Sequence, residues 1–181
     1  MKNAALFIVD VQNDFLPGGA LAVPRGDEVI APINRLQEKF ELVLASKDWH
    51  PATTKHFEKW PPHCIRGTYG AKFPESLNIS SIQKVFLKGT GVSDDGYSAF
   101  EATNDDLESY LKIRGISKLY VVGLATDYCV LATAVKAAEN GFEVYVVKDA
   151  VRAVNLQPGD EDKAFEKMKQ NGVQIISLEE V

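Results

Sequence analysis

Histidine is scarce in this chain. There are three in 181 residues, and all lie in one stretch, KDWHPATTKHFEKWPPHC, from Lys47 to Cys64. Cysteine is scarcer still, with Cys64 and Cys129 alone. Two thiols cannot build the disulfide framework of a small secreted domain, and in a reducing compartment both stay free. No excess of positive charge is present: 20 Lys and Arg against 25 Asp and Glu give a formal net charge of −5 and a pI near 5.3. That argues against nucleic acid as a partner, since its binders usually carry a basic stripe. Also absent is any apolar run that approaches a membrane span. The opening MKNAALFIVD is basic and then apolar, like a secretory leader, but Asp10 stops the run after six residues and no small-residue cleavage site is evident. The expectation is a cytoplasmic protein without a membrane partner. Its oligomeric state is open, a homo-oligomer included.

What is present is enough for a sizeable core. Hydrophobic residues make up 45% of the chain, and the length suits one domain over residues 1–181. Six short apolar runs, rich in β-branched residues, read as strands: AALFIVD (4–10), ELVLASKD (41–48), QKVFLKG (83–89), KLYVVGLA (118–125), EVYVVKDA (143–150) and VQIISLEE (173–180). They are continuous rather than alternating, as strands covered on both faces should be. Helical patterns lie between most of them, at 26–40, 103–115, 126–141 and 159–172. The last three open on capping or acidic residues and close on Gly115, Gly141 and Gly172. Such alternation predicts a three-layer, doubly wound α/β domain with a six-stranded parallel sheet. Residues 48–82 break the alternation as a long connection with prolines and aromatics, and long loops in compact domains are usually functional.

In open parallel sheets, ligands bind beyond the carboxyl ends of the strands. The first strand delivers Asp10 there, the second Asp48 with His50 just beyond, the third Lys88, and the fourth Ala125 with Cys129 in the next turn. A lone charge at a strand end is ordinarily solvated, and a lone cysteine is ordinarily a small buried hydrophobe. The convergence of carboxylate, ammonium and thiol on one sheet edge points to chemistry instead. At a helix N-terminus the dipole and free N–H groups favour a thiolate, which predicts a Cys129 pKa below the usual ~8.5. An aspartate beside it can act as base, a lysine can hold that aspartate ionised, and backbone N–H groups can hold an oxyanion. Cys64 has no comparable helix start and reads as packed and structural.

The histidine loop has the pattern Asp48-x-His50-x5-His56-x6-His63. Asp48 and His50, two apart on an extended chain, point the same way. Carboxylate with imidazole suits a divalent first-row ion such as zinc, iron or manganese. The core ligands are Asp48, His50 and His63, with His56 as a candidate fourth. A dinucleotide-binding dehydrogenase is disfavoured, since the first strand leads into DVQNDFLPGG and not a G-x-G-x-x-G turn.

Taken in order, DVQNDFLPGGALAVP, SKDWHP, WPPHCIRGTYGAKF, FLKG, GVSDDGYSAF and GLATDYCVLATA resemble the segments of the nicotinamidase/pyrazinamidase branch of the isochorismatase-like cysteine hydrolases. Tyr128 stands where some relatives have histidine before the cysteine. The resemblance implies a doubly wound α/β fold and hydrolysis of nicotinamide to nicotinate and ammonia, with pyrazinamide as a surrogate. It implies Asp10, Lys88 and Cys129 as the catalytic set, and the N–H groups of Ala125 and Cys129 as the oxyanion hole. Phe15, Trp60 and Tyr97 become candidate ring contacts, and one divalent ion, zinc foremost, the cofactor that orients the pyridine ring. Rival expectations are an amidase for carbamoyl or ureido compounds, and a noncatalytic metal-binding or regulatory domain; the second would lack the Asp/Lys/Cys set.

Overall fold

The computed structural model describes residues 1–181. The apolar runs form strands β1 (Ala4–Val9), β2 (Leu42–Asp48), β3 (Lys84–Lys88), β4 (Lys118–Leu124), β5 (Glu143–Arg152) and β6 (Gln174–Ile176). All pair in parallel, in one sheet of order β3-β2-β1-β4-β5-β6. Helices α1 (Ile30–Gln37), α2 (Leu107–Ile113), α3 (Leu131–Glu139) and α4 (Asp160–Gln170) complete the regular elements. Every residue of β1 is buried, which explains its unbroken apolar run. Its alternate side chains feed two cores. Ala4, Leu6 and Ile8 pack with Ile33 and Leu36 of α1, while Ala5, Phe7 and Val9 pack with Leu111 of α2, Ala134 of α3 and Met168 of α4. Helix layers on both faces make the predicted doubly wound sheet. No helix is long and apolar enough to cross a membrane.

Boundaries differ from the sequence expectation where local chemistry intervenes. The pattern at 26–40 begins as a 3-10 turn, Gly26–Val29, before α1 starts. The run at 173–180 is strand only to Ile176, because Ser177 and Glu180 form a capping box that starts a 3-10 turn over Leu178–Glu180. Strand β5 runs past the expected end to Arg152, with a register slip between the Val121/Val146 and Gly123/Val151 pairs.

Strand order reverses between β1 and β4, the switch point at which ligands sit in such folds. The two strands are pressed together there. Gly123 has φ +109°, and a Cβ on it would lie 2.2 Å from Val9 O. Neither neighbour can move, since both are sheet backbone. Gly123→Ala is therefore expected to lower the unfolding free energy by roughly 2–5 kcal/mol, from overpacking and an unfavourable φ together. Urea denaturation checks this, and a midpoint equal to the parent's would contradict it.

Candidate active site and metal centre

The end of β1, the end of β2 and the end of β3 bring Asp10, Asp48 and Lys88 together, and all three are buried. Lys88 Nζ lies 2.7 Å from Asp10 Oδ2 and 2.5 Å from Asp48 Oδ1, and donates to Gly96 O at 2.7 Å. Cys129 Sγ is 3.4 Å from the same ammonium. The cysteine rides on a π-helical turn, Thr126–Val130, which leads into α3. In that turn the N–H groups of Tyr128 and Val130 both donate to Ala125 O, at 3.1 Å. Asp10 Oδ1 accepts from Ser46 Oγ at 2.7 Å, while Oδ2 is buried with no partner beyond the ammonium.

Burial sets the proton affinities here. It raises Asp10 above the ordinary carboxylate value, and the pull of Lys88 only partly offsets it. For Asp48 burial also acts upward, but Lys88 and the imidazoles of His50 and His63 outweigh it and hold that carboxyl well below the usual range. Burial alone would lower Lys88, yet the two carboxylates drive it well above the ordinary lysine value. The Cys129 thiol corrects the sequence expectation. Burial, reinforced by Asp10 and Asp48, pushes it well up despite Lys88. The helix-start rule assumes a partly exposed cysteine, and this one is enclosed, so burial outweighs the helix start. Cys64 is fully buried, and burial raises its thiol as well.

The histidine loop closes over the other side of Asp48. His50 Nε2 and His63 Nε2 stand 3.5 and 3.6 Å from Asp48 Oδ2. One ring nitrogen from each of His50, His56 and His63 lies within 4.8 Å of the others. The His56 ring stacks on that of His50, with centroids 4.6 Å apart. The opposite nitrogens are all engaged: His50 Nδ1 with Gly89 O at 2.9 Å, His63 Nδ1 with Pro61 O at 2.8 Å, and His56 Nδ1 with Asp94 Oδ1 at 2.8 Å. A carbonyl or carboxylate can only accept, so each Nδ1 carries a proton, and the neutral form of each ring has its lone pair on Nε2. His50 Nε2 is buried with no hydrogen-bond partner. A buried orphan lone pair, two further imidazoles and an ionised carboxylate oxygen are a donor set that fits a divalent ion.

The thiol opens on the same pocket as His56 and His63. Phe15, Trp60, Tyr97 and Ala125 line it together with Asp48, His56, His63 and Cys129. The Phe15 ring packs against His63, and Trp60 Nε1 donates to the Tyr97 hydroxyl at 3.1 Å. Every site residue expected from the sequence thus falls in one region.

Three contributors escaped the sequence reading. Gln12 is fully buried and pairs with the Asp48 backbone as a strand neighbour would: Nε2 donates to Asp48 O, and Oε1 accepts from Asp48 N, both at 2.8 Å. It also donates to Ala71 O at 3.1 Å, tying the long connection after β2 to the end of β1. Gly96 and Asp94 come from a second long connection, after β3. The only signal for Gln12 was its place two residues beyond Asp10, which gives no hint of a partner 36 residues on.

A model described as "Isochorismatase domain" matches residues 4–180. The nicotinamidase of Acinetobacter baylyi is 39% identical, over 97% of this chain and 93% of that one. The structure of an Acinetobacter baumanii nicotinamidase/pyrazinamidase superposes with a TM-score of 0.94 at 39% identity, covering 99% of this chain and 98% of the other. That of the Pyrococcus horikoshii pyrazinamidase, in complex with zinc, gives 0.85 at 40% identity, covering 97% and 99%. With the fold, the Asp/Lys/Cys set and the match along almost its whole length, the chain belongs to the isochorismatase-domain family.

Proposed function

We propose that the protein is a nicotinamidase of NAD salvage, hydrolysing nicotinamide to nicotinate and ammonia and accepting pyrazinamide, through a thioester on Cys129. The observation that carries this is the shared pocket: the Cys129 thiol and the imidazoles of His56 and His63 line one mainly apolar slot, and His50 is clustered with those two rings. A ring with a nitrogen at one end and a carboxamide at the other suits it. Likeness to nicotinamidases over almost the whole chain supports the same reading.

Asp10 takes the thiol proton, for which its raised proton affinity suits it. Cys129 Sγ then attacks the carboxamide carbon. The N–H groups of Ala125 and Cys129 hold the developing oxyanion. Asp10 returns the proton to the leaving nitrogen, ammonia departs, and a nicotinoyl thioester remains. Asp10 next takes a proton from the water that attacks that thioester and passes it to Sγ as the C–S bond breaks, which restores the thiol, while the acid product loses its own proton to solvent and leaves as nicotinate. Lys88 favours the ionised, proton-accepting form of Asp10 between these transfers and holds its carboxyl group in place. Phe15, Trp60 and Tyr97 hold the ring. Asp48, His50 and His63, with His56, would hold a divalent ion, zinc foremost, which when bound supplies a Lewis acid for the ring-nitrogen lone pair and so orients the amide.

Purified protein is expected to release ammonia from nicotinamide and pyrazinamide and to leave carbamoyl and ureido compounds untouched. Cys129→Ala should abolish release yet still bind nicotinamide, read by calorimetry. Ammonia release by Cys129→Ala at the parent's rate would remove the nucleophile, and activity on carbamoyl compounds alone would replace the substrate.

Lys88→Met leaves two buried carboxylates unpaired, so it should cost roughly 3–5 kcal/mol of stability and at least about 100-fold in kcat/KM. The base must be ionised, and losing the cation raises the Asp10 pKa further. The acid limb of any residual activity therefore moves to higher pH. An unchanged pH–rate profile would reduce Lys88 to a structural ion.

A further inference from the structure

Asp94 has no part in the mechanism above, yet several groups at the edge of the site converge on it. Its Oδ1 accepts from His56 Nδ1 at 2.8 Å and from the Tyr97 hydroxyl at 3.2 Å, and its Oδ2 accepts from Lys59 Nζ. The carboxylate is thus held at both oxygens. Its segment is joined to the histidine loop residue by residue. Thr54 Oγ1 donates to Ser93 O at 3.1 Å, Lys55 N–H donates to Val92 O at 2.9 Å, and His56 meets Asp94.

The three histidines differ in how their rings are fixed. His50 and His63 donate Nδ1–H to backbone carbonyls, of Gly89 and Pro61. His56 alone depends on a side chain. A free imidazole shares its proton between two nitrogens and turns about its side-chain bonds. An ionised carboxylate at Nδ1 removes both freedoms, because it demands the proton there and sets the ring plane. His56 stacked on His50, with its other nitrogen near those of His50 and His63, is the result.

We propose that Asp94 is a positioning residue of the metal site, which makes His56 a ligand by fixing its Nδ1–H tautomer and its orientation. The inference rests on the metal reading of the site but not on the substrate, so it can be tested without turnover. Zinc affinity of the substrate-free protein, measured by competition with a chromophoric chelator, is the readout. Asp94→Ala should weaken zinc binding by roughly 10–100-fold. Asp94→Asn, whose amide oxygen still accepts from Nδ1, should recover most of that loss. In a His56→Ala background Asp94→Ala should cost nothing further, because Asp94 acts through His56. The cobalt(II)-loaded Asp94→Ala protein should share the visible absorption of cobalt(II) His56→Ala. Asp94→Ser, polar but too short to reach the ring, carries the same expectation should Asp94→Ala fail to fold.

A zinc affinity unmoved by Asp94→Ala or Asp94→Ser would overturn the proposal. So would an Asn variant as weak as the Ala variant, or an equal loss in the His56→Ala background. Zinc binding by the parent chain tests the metal reading separately. A parent that binds zinc while the Asp94 variants bind it equally well refutes the proposal alone.

Discussion

One buried ammonium organises this molecule. Lys88 sits at the end of a strand with no exposure to water and two carboxylates within 2.7 Å. At an effective dielectric constant near 20, an ion pair at that distance is worth roughly 6 kcal/mol, against several kcal/mol to dehydrate each ion. The balance is close, which makes the group intolerant of change. Its consequence lies in what it does to its neighbours. The same cation leaves Asp48 firmly ionised and only moderates Asp10, whose affinity for a proton burial has raised. Two aspartates on one lysine thereby acquire opposite characters, one a fixed anion and the other a base.

Asp48 joins the two halves of the site. One oxygen is on Lys88 and the other faces His50 and His63. Its backbone is clamped by Gln12, so neither oxygen is free to wander. The protonic part and the histidine cluster proposed to hold the metal share one carboxylate and therefore a geometry. A substrate laid between Cys129 and the imidazoles meets both at a separation set by the sheet.

Much of this was legible in the sequence, for physical reasons. Continuous β-branched runs betray strands buried on both faces, and β1 is buried along its length. Strand ends in a parallel sheet share an edge, so the placing of Asp10, Asp48 and Lys88 at three strand ends already brings them together. Crowding three histidines into fourteen residues signalled a cluster. Other features were not legible. The proton affinity of Cys129 depends on how completely the chain encloses it, and no local pattern reports enclosure; the helix-start rule gave the wrong direction. Gln12 and Asp94 look like ordinary loop polar residues, and their partners lie 36 and 38 positions away. The early end of β6 was present in the Ser177–Glu180 spacing, a capping signal that cuts the apolar run short at Ile176.

The central claim is a covalent acyl-enzyme on Cys129, and hydroxylamine tests it most directly. Added during turnover of nicotinamide, it competes with water for any thioester. The account predicts that nicotinohydroxamate appears at the expense of nicotinate, in a ratio that rises in proportion to hydroxylamine, while ammonia release does not fall, because both products leave one intermediate formed after ammonia has departed. Nicotinate as the sole product at every hydroxylamine concentration, with ammonia release unaltered, would contradict it and assign the attack on the amide to water.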